Sequence, residues 1–236
     1  MIDIHPPHKS DHTWTDFFIH IGTIILGILI ALGLEQSIEY LHQRHQLHEL
    51  REGAITDAQI YLHDVDQNRA ANTRQVEDLT LRIQQVQDAI SQHRPLPPPA
   101  YRPTLRISTI RLGNLSAAKG SGLINLLSKD EINSATDAEV GVIKSEALKE
   151  RAQEAATKRT AFEQRFQTGF PSGPFDFSRI TPAQLDEYLG LLLDERLRRT
   201  ETLAYLLLMH RGTEAYLSGQ RTLEELRAAQ ENSSAP

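Results

Sequence analysis

Phe17-Phe-Ile-His20-Ile-Gly-Thr23-Ile-Ile-Leu-Gly27-Ile-Leu-Ile-Ala31-Leu-Gly-Leu34 decides how this chain is read. The run carries no formal charge, and its eighteen residues, at about 1.5 Å each, make roughly 27 Å of helix, close to the ~30 Å hydrocarbon core of a bilayer. Asp16 and Glu35 bound it sharply. Trp14 and Tyr40 stand just outside, as aromatic side chains do at the headgroup layers on either side of a span. With its flanks, residues 14–36, the stretch is expected to be a transmembrane helix.

A cleaved signal peptide fits less well. Ahead of the run Lys9 stands alone against Asp3, Asp11 and Asp16, so the basic leader is missing, and Glu35-Gln-Ser-Ile-Glu39 offers no small-x-small cleavage site. An uncleaved anchor is expected. Charge does not orient it: Lys9 on one side against Arg44 and Arg51 on the other leans towards a cytoplasmic C-terminal side by one residue. Long domains cross a membrane largely regardless of such counts.

The remainder has the composition of a soluble protein. Over all 236 residues 39% are hydrophobic and 24% charged, with a mean hydropathy of −0.40, so one apolar helix accompanies one extramembrane domain of ordinary size. There are no cysteines, which excludes disulfides, zinc-thiolate sites and a thiol nucleophile. A net charge of −6 excludes nucleic acid as a partner, because that needs a clustered basic surface.

Within the anchor, His20, Thr23, Gly27 and Ala31 follow at spacings of 3, 4 and 4, on one helical face that holds the smallest side chains. Such a face lets two backbones approach closely in lipid, so Thr23, Gly27 and Ala31 are candidates for association with a second copy or with other subunits of a membrane complex. His20 lies about one turn inside the apolar boundary, where an ionisable group is a functional candidate. It could ligate haem or a pigment if a partner helix completed the site, and reaching headgroups or water is the plainer role.

Further along, Glu39 and His42 form an E-x-x-H pair and His45 follows, the kind of spacing by which helical bundles place di-metal ligands. No second E-x-x-H appears, so a metal at Glu39, His42 and His45 would need a second copy of the chain; a solvated stalk explains the same residues. His5, His8 and His12 fall in residues 1–13, read as a flexible tail.

The helices follow from periodicity and punctuation. Residues 37–94 contain no proline until Pro95 and read as a stalk and first long helix. Val76, Leu79, Ile83, Val86 and Ile90 form a heptad-like seam, while Leu47, Leu50, Ala54, Ala58, Tyr61 and Val65 form a looser one. Between them Asp66 to Gln75 is polar nearly all round, which favours packing onto other helices of the same chain over a long uniform coiled coil. Residues 95–103 carry five prolines and cannot be helix; they are expected to be a stiff connector that turns the chain round.

A helix is expected from a Thr104 cap through Ile110, Leu112 and Leu115 to about residue 127, broken or kinked at Gly120-Ser-Gly122 before Leu123 to Leu127. Ser128-Lys-Asp-Glu131 reads as a capping box that starts a helix to about residue 168, with Leu148, Ala152, Ala155, Phe162 and Phe166 facing inward. The Phe/Pro/Gly stretch 169–178 is expected to plug one end of a bundle. Thr181-Pro182-Ala-Gln184 starts the last helix, whose inner face is read as Leu185, Leu189, Leu192 or Leu193 and Leu197. Gly212 or Gly219 is expected to kink it before an amphipathic end, and residues 230–236 are expected to be disordered. The fold class is all-α: an N-terminal transmembrane helix continuing into a long stalk helix and a helical bundle over residues 104–229.

The N-terminal third resembles a group of bitopic bacterial membrane proteins. The likeness lies in Pro7-His8-Lys9, Asp16-Phe17-Phe18-Ile19-His20, Gly27-Ile-Leu-Ile-Ala-Leu32, Gly33-Leu-Glu35 and His42-Gln-Arg-His45, with a weaker echo at Ser121-Gly122-Leu123. It implies an inner-membrane anchor with the C-terminal part in the periplasm, and it implies no activity. No catalytic motif is found, and nothing sets a nucleophile beside a base. The expectation is a non-enzymatic accessory or scaffolding subunit whose partners are the lipid bilayer and other subunits or copies of itself. A periplasmic sensor or ligand-binding bundle is the alternative, with a haem, pigment or metal protein as the third reading.

Overall fold

The computed structural model describes residues 14–99, 108–169, 173–220 and 222–231. The expectations for His5, His8, His12, the Thr104 cap and Phe170 lie outside these residues. Five α-helices follow in order: α1 (Trp14–Gln92), α2 (Gly113–Ser121), α3 (Lys129–Gln164), α4 (Pro182–Leu217) and α5 (Leu223–Glu231), with a 3-10 turn at Leu123–Leu126 after α2. Among the described residues there is no strand, only an isolated bridge between Gln167 and Phe175. The protein is all-α.

Two units divide the chain, one up to Glu49 and one from Leu50 onward. In the first, α1 is long and apolar enough to cross a membrane, and none of its most apolar window is buried. Trp14, Phe17 and Phe18 cluster at its start, with ring centroids 5.7–6.2 Å apart. Thr23 Oγ1 donates to the Ile19 carbonyl at 2.8 Å and Ser37 Oγ to that of Gly33 at 2.7 Å. Both hydroxyls are thereby satisfied inside the helix.

In the second unit residues 50–92 of α1 form a bundle with α3 and α4. Arg51 meets Glu131 at the start of α3, and Leu79, Ile83 and Val86 meet Phe162 near its end, so these two helices run parallel. α4 opposes them: Leu185 to Leu192 lie with Leu79 to Val86, and Leu206 and Met209 with Tyr61 and Val65. His93, at φ 53°, stops α1 in a left-handed conformation, and Pro95 bars its continuation.

The proline-rich connector does more than turn the chain. Leu96 is buried beside Phe177 and Tyr188, the Pro97 carbonyl accepts from Arg82 at 2.6 Å, and Ser108 exchanges two hydrogen bonds with the Asn68 amide at 2.8 and 3.0 Å. Residues 96 and 97 on one side and Ser108 on the other thus each lie against α1. Residues 108–112 are not helical and the next helix begins at Gly113, later than the pattern suggested, because Ile110 and Leu112 are used to pack this strap against Tyr61 and Val65.

The capping box expected at Ser128 is present, and the helix start expected at Thr181 forms a second one. Ser128 and Glu131 satisfy each other's backbone amides at the start of α3, and Thr181 and Gln184 do so at the start of α4. α3 ends at Gln164 and α4 at Leu217, where Gly219, at φ 106°, turns the chain into α5. α5 carries helix through residues 230 and 231, which the sequence assigned to a disordered tail. Phe177 plugs one end as expected, buried with its ring centroid 5.1 Å from that of Phe166 and 5.9 Å from that of Tyr188.

The inner face of α4 differs from the Leu-based expectation. Leu193 and Leu197 are exposed, whereas Leu185, Tyr188, Leu192, Glu195, Arg199, Thr202, Leu206 and Met209 are buried. These positions alternate at 3 and 4, a bundle seam with an ion pair in its centre. Glu195 is 2% exposed and Arg199 4%. Glu195 accepts from Arg199 at 2.8 Å and from Arg159 of α3 at 2.6 Å, while Arg159 also reaches Glu163 at 2.7 Å. Burial alone would lower the Arg159 pKa, but the two carboxylates hold it above its ordinary value. Asn72 of α1 receives Arg199 at 3.4 Å. The network continues through Glu163 to the Tyr188 hydroxyl at 2.5 Å and on to Arg82 at 3.1 Å; the Arg82 guanidinium also lies over the Phe177 and Tyr188 rings, 5.2 and 5.4 Å from their centroids.

Removing one partner of a buried ion pair costs about 3–5 kcal/mol, because the other charge stays buried. Glu195→Gln is expected to destabilise the full-length chain by about 3 kcal/mol, whereas Leu197→Ala, on the exposed side, stays within ~0.5 kcal/mol. Thermal or denaturant unfolding of both variants checks this.

Candidate functional site

At the end of the bundle holding Leu50, the packing of α1, α3 and α4 leaves a cavity of about 220 Å³. Its walls are mainly apolar, from residues such as Ala58, Leu115, Ala138 and Met209, and α5 adds Leu226 and Gln230. It opens at Gly141. A Cβ built on that glycine would lie 3.6 Å from the Tyr205 hydroxyl, 3.7 Å from the Tyr61 hydroxyl and 3.9 Å from the Met209 methyl. Two phenols, from α4 and α1, thus converge on one point of α3.

Tyr61 is 6% exposed, and among the described residues no hydrogen bond reaches either hydroxyl. Burial pushes both phenols above their ordinary pKa, Tyr205 adding to the effect on Tyr61 and Asp137 to that on Tyr205. Both therefore remain protonated donors. The Lys144 ammonium sits 4.8 Å from the Tyr205 ring centroid and holds that ring by cation–π attraction.

The charged groups around the cavity are paired. Arg51 grips Glu131 with two hydrogen bonds, at 2.8 and 3.3 Å. Burial would raise the Glu131 pKa, but Arg51 and the Ser128 amide and hydroxyl outweigh it and bring it down to about 2. Asp137 takes Arg227 of α5 at 3.0 Å. Asp57, buried on α1, accepts from the Asn114 and Leu115 amides at 3.2 and 2.9 Å and from the Asn114 side chain at 2.9 Å. It serves as the N-terminal cap of α2, whose own Leu112 cannot cap it.

The residues singled out from the sequence lie in the first unit and do not join this cavity. Trp14, His20 and Tyr40 are exposed, as are Thr23, Gly27 and Ala31, and nothing lies within 4 Å of a Cβ placed on Gly27. Glu39 accepts from Gln43 at 2.9 Å, and His45 faces Glu49 at 3.3 Å, so two of the three candidate metal ligands take neighbours one turn away. Among the described residues no group of three or more His, Asp or Glu is placed to hold a metal ion.

Sequence reasoning missed the tyrosine pair, the Asp57 cap and His210. The His210 ring nitrogens each lie 3.2 Å from a carboxylate, Asp66 of α1 and Glu214 of α4. Both nitrogens thus face carboxylates, one from a neighbouring helix and one from its own. The i,i+4 spacing of His210 and Glu214 was visible; the 144-residue separation from Asp66 was not.

No family model, curated protein or solved structure matches the chain.

Two outcomes test the geometry. Gly141→Ala meets only ordinary contacts and relieves a glycine inside a helix, so it is expected to raise stability by about 0.5–1 kcal/mol, read from the unfolding midpoint. Glu131 has a folded pKa of about 2 against an ordinary 4.5, so the stability it contributes is complete above pH 4.5 and is lost as pH falls towards 2. Glu131→Gln is expected to flatten that part of the stability–pH curve.

Proposed function

We propose that this is a single-span protein of the bacterial inner membrane whose helical domain, on the periplasmic side, binds a small apolar ligand without transforming it. The cavity at Gly141 carries the reading. An apolar pocket with a few converging polar groups is the ordinary form of a small-molecule site, and the two unpartnered phenols give this one a polar focus. The apolar stretch of α1 supports the anchor, and the likeness of residues 7–60 to bitopic bacterial proteins supports the compartment.

The second reading, an accessory or scaffolding subunit, draws on the open face of Thr23, Gly27 and Ala31, where close helix contact is sterically free. The readings are compatible, since a ligand-binding domain on a single span passes its signal on through a partner.

Native mass spectrometry of the full-length chain, extracted from its own membrane in mild detergent, tests the first. A small molecule bound to the wild type and absent from Gly141→Leu, which fills the cavity, supports it; identical masses with no adduct in either would end it. The second predicts that Gly27→Leu reduces the oligomer or complex seen in the same spectra. The lack of native cysteine makes topology readable: a cysteine placed at exposed Ser91 should react with a membrane-impermeant maleimide from the periplasmic side.

A further inference from the structure

We propose that α5 is a latched gate to the cavity: it swings away as a unit about Gly219 to let a neutral, apolar ligand in and out, and the Asp137–Arg227 ion pair holds it shut. This rests on the ligand-binding reading above and names how access to that site is controlled.

α5 is held lightly. Between Glu224 and Gln230 no side chain is fully buried; Leu226, Ala229 and Gln230, on one face of the helix, are half-buried and the rest are exposed. A nine-residue helix is marginal by itself in water, and a segment with few buried contacts opens at far lower cost than the body it rests on. Thr222 and Glu225 exchange hydrogen bonds at 3.0 and 3.2 Å at its start, so the first turn is capped from within and travels with the helix. Gly219, at φ 106°, supplies a joint in a conformation that glycine adopts freely.

The seat of α5 depends on a missing side chain. A Cβ built on Gly212 would lie 2.5 Å from Gln230 Nε2 and 3.4 Å from its Cδ. The Gln230 amide therefore takes the space that any other residue of α4 would fill. A glycine inside a helix costs stability; this one lets α5 lie close enough for Leu226 and Gln230 to wall the cavity.

The latch joins α5 to α3. Arg227 Nη2 donates to Asp137 Oδ1 at 3.0 Å, and the two side chains are 58% and 39% exposed. An ion pair in contact with water shifts an equilibrium by about two- to fivefold, enough to bias the gate and too little to lock it. Arg51 is taken by Glu131, and Asp57 by the amides at the start of α2. A neutral ligand passes without breaking either pairing, whereas an ionised one would stay unpaired among apolar walls.

A thiol in the cavity wall tests the gate. The chain has no cysteine, so Ala58→Cys, at a buried wall position, adds a single reactive group. Its modification by methyl methanethiosulfonate would be followed by mass spectrometry on the full-length chain in lipid nanodiscs. Labelling tracks the open fraction when the gate recloses faster than the reagent reacts. Arg227→Gln in that background is expected to raise the rate about two- to fivefold, and Asp137→Arg/Arg227→Asp, which remakes the pair in reverse, to bring it back. Gly212→Val, which displaces Gln230, should raise it at least as much. Ala89→Cys, buried at the filled end of the bundle, should label slowly in every background, which separates opening of the gate from loosening of the bundle. Naphthalene is the ligand probe: about 150 Å³ holds one benzene ring, and the 220 Å³ here suits two fused rings. It should protect the thiol at position 58 saturably.

Unchanged labelling at position 58 in both Arg227→Gln and Gly212→Val, or a matching rise at position 89, would overturn the gate and leave the ligand site standing. Labelling that follows the latch but is untouched by naphthalene at any concentration would instead remove the ligand-binding reading, and with it what the gate admits.

Discussion

Glu195 sits between two arginines from two helices, and the bundle is organised around that arrangement. Its carboxylate takes Arg199 from its own helix and Arg159 from α3, and Arg199 reaches on to Asn72 of α1. Three helices are pinned at one level by groups that would be costly to bury singly. The geometry fixes which residues of α1, α3 and α4 face one another. Apolar side chains alone would tolerate a slip of one turn along the seam; a carboxylate shared by two guanidinium groups would not.

That ionic level also divides the interior. On one side Phe162, Phe177 and Tyr188 fill the space with stacked rings, Phe162 and Tyr188 lying nearly parallel with centroids 5.1 Å apart. On the other, Tyr61, Val65, Leu206 and Met209 form a smaller cluster, and beyond it the packing leaves the cavity. The well-filled end and the hollow end belong to the same three helices. The difference arises from side-chain size: Ala54, Ala58, Ala135, Ala138 and Gly141 line the hollow, where the other end has phenylalanines.

Local patterns in the sequence were the readable part. The capping box at Ser128, the helix start at Thr181, the end of α1 before Pro95, and the apolar run of residues 17–34 each depend on a few adjacent residues, and each appears in the structure as a helix start, a helix stop or an exposed apolar helix. The polar stretch from Asp66 to Gln75 was rightly taken as a sign of packing within the chain: Asn68 and Asn72 are buried there. The inner face of α4 was misjudged because leucine outweighed spacing. Glu195 and Arg199 occupy seam positions, but charged residues read as solvent-facing unless their partners are known, and Arg159 is 36 residues from Glu195. The cavity was illegible for the same reason, since its two phenols are 144 positions apart and only the fold joins them at Gly141.

The capping of α2 by Asp57 carries a consequence for how the chain is made. A nine-residue helix has little stability of its own in water, and the amides that Asp57 holds come 57 and 58 residues after it. As the chain emerges during synthesis, α1 is complete before any of α2 exists, with the carboxylate already in place on its surface. The later segment then has a mould to settle on, Gly53 giving the Asn114 side chain room to lie close. The first helix acts as a template, and the strap and α2 are cast upon it.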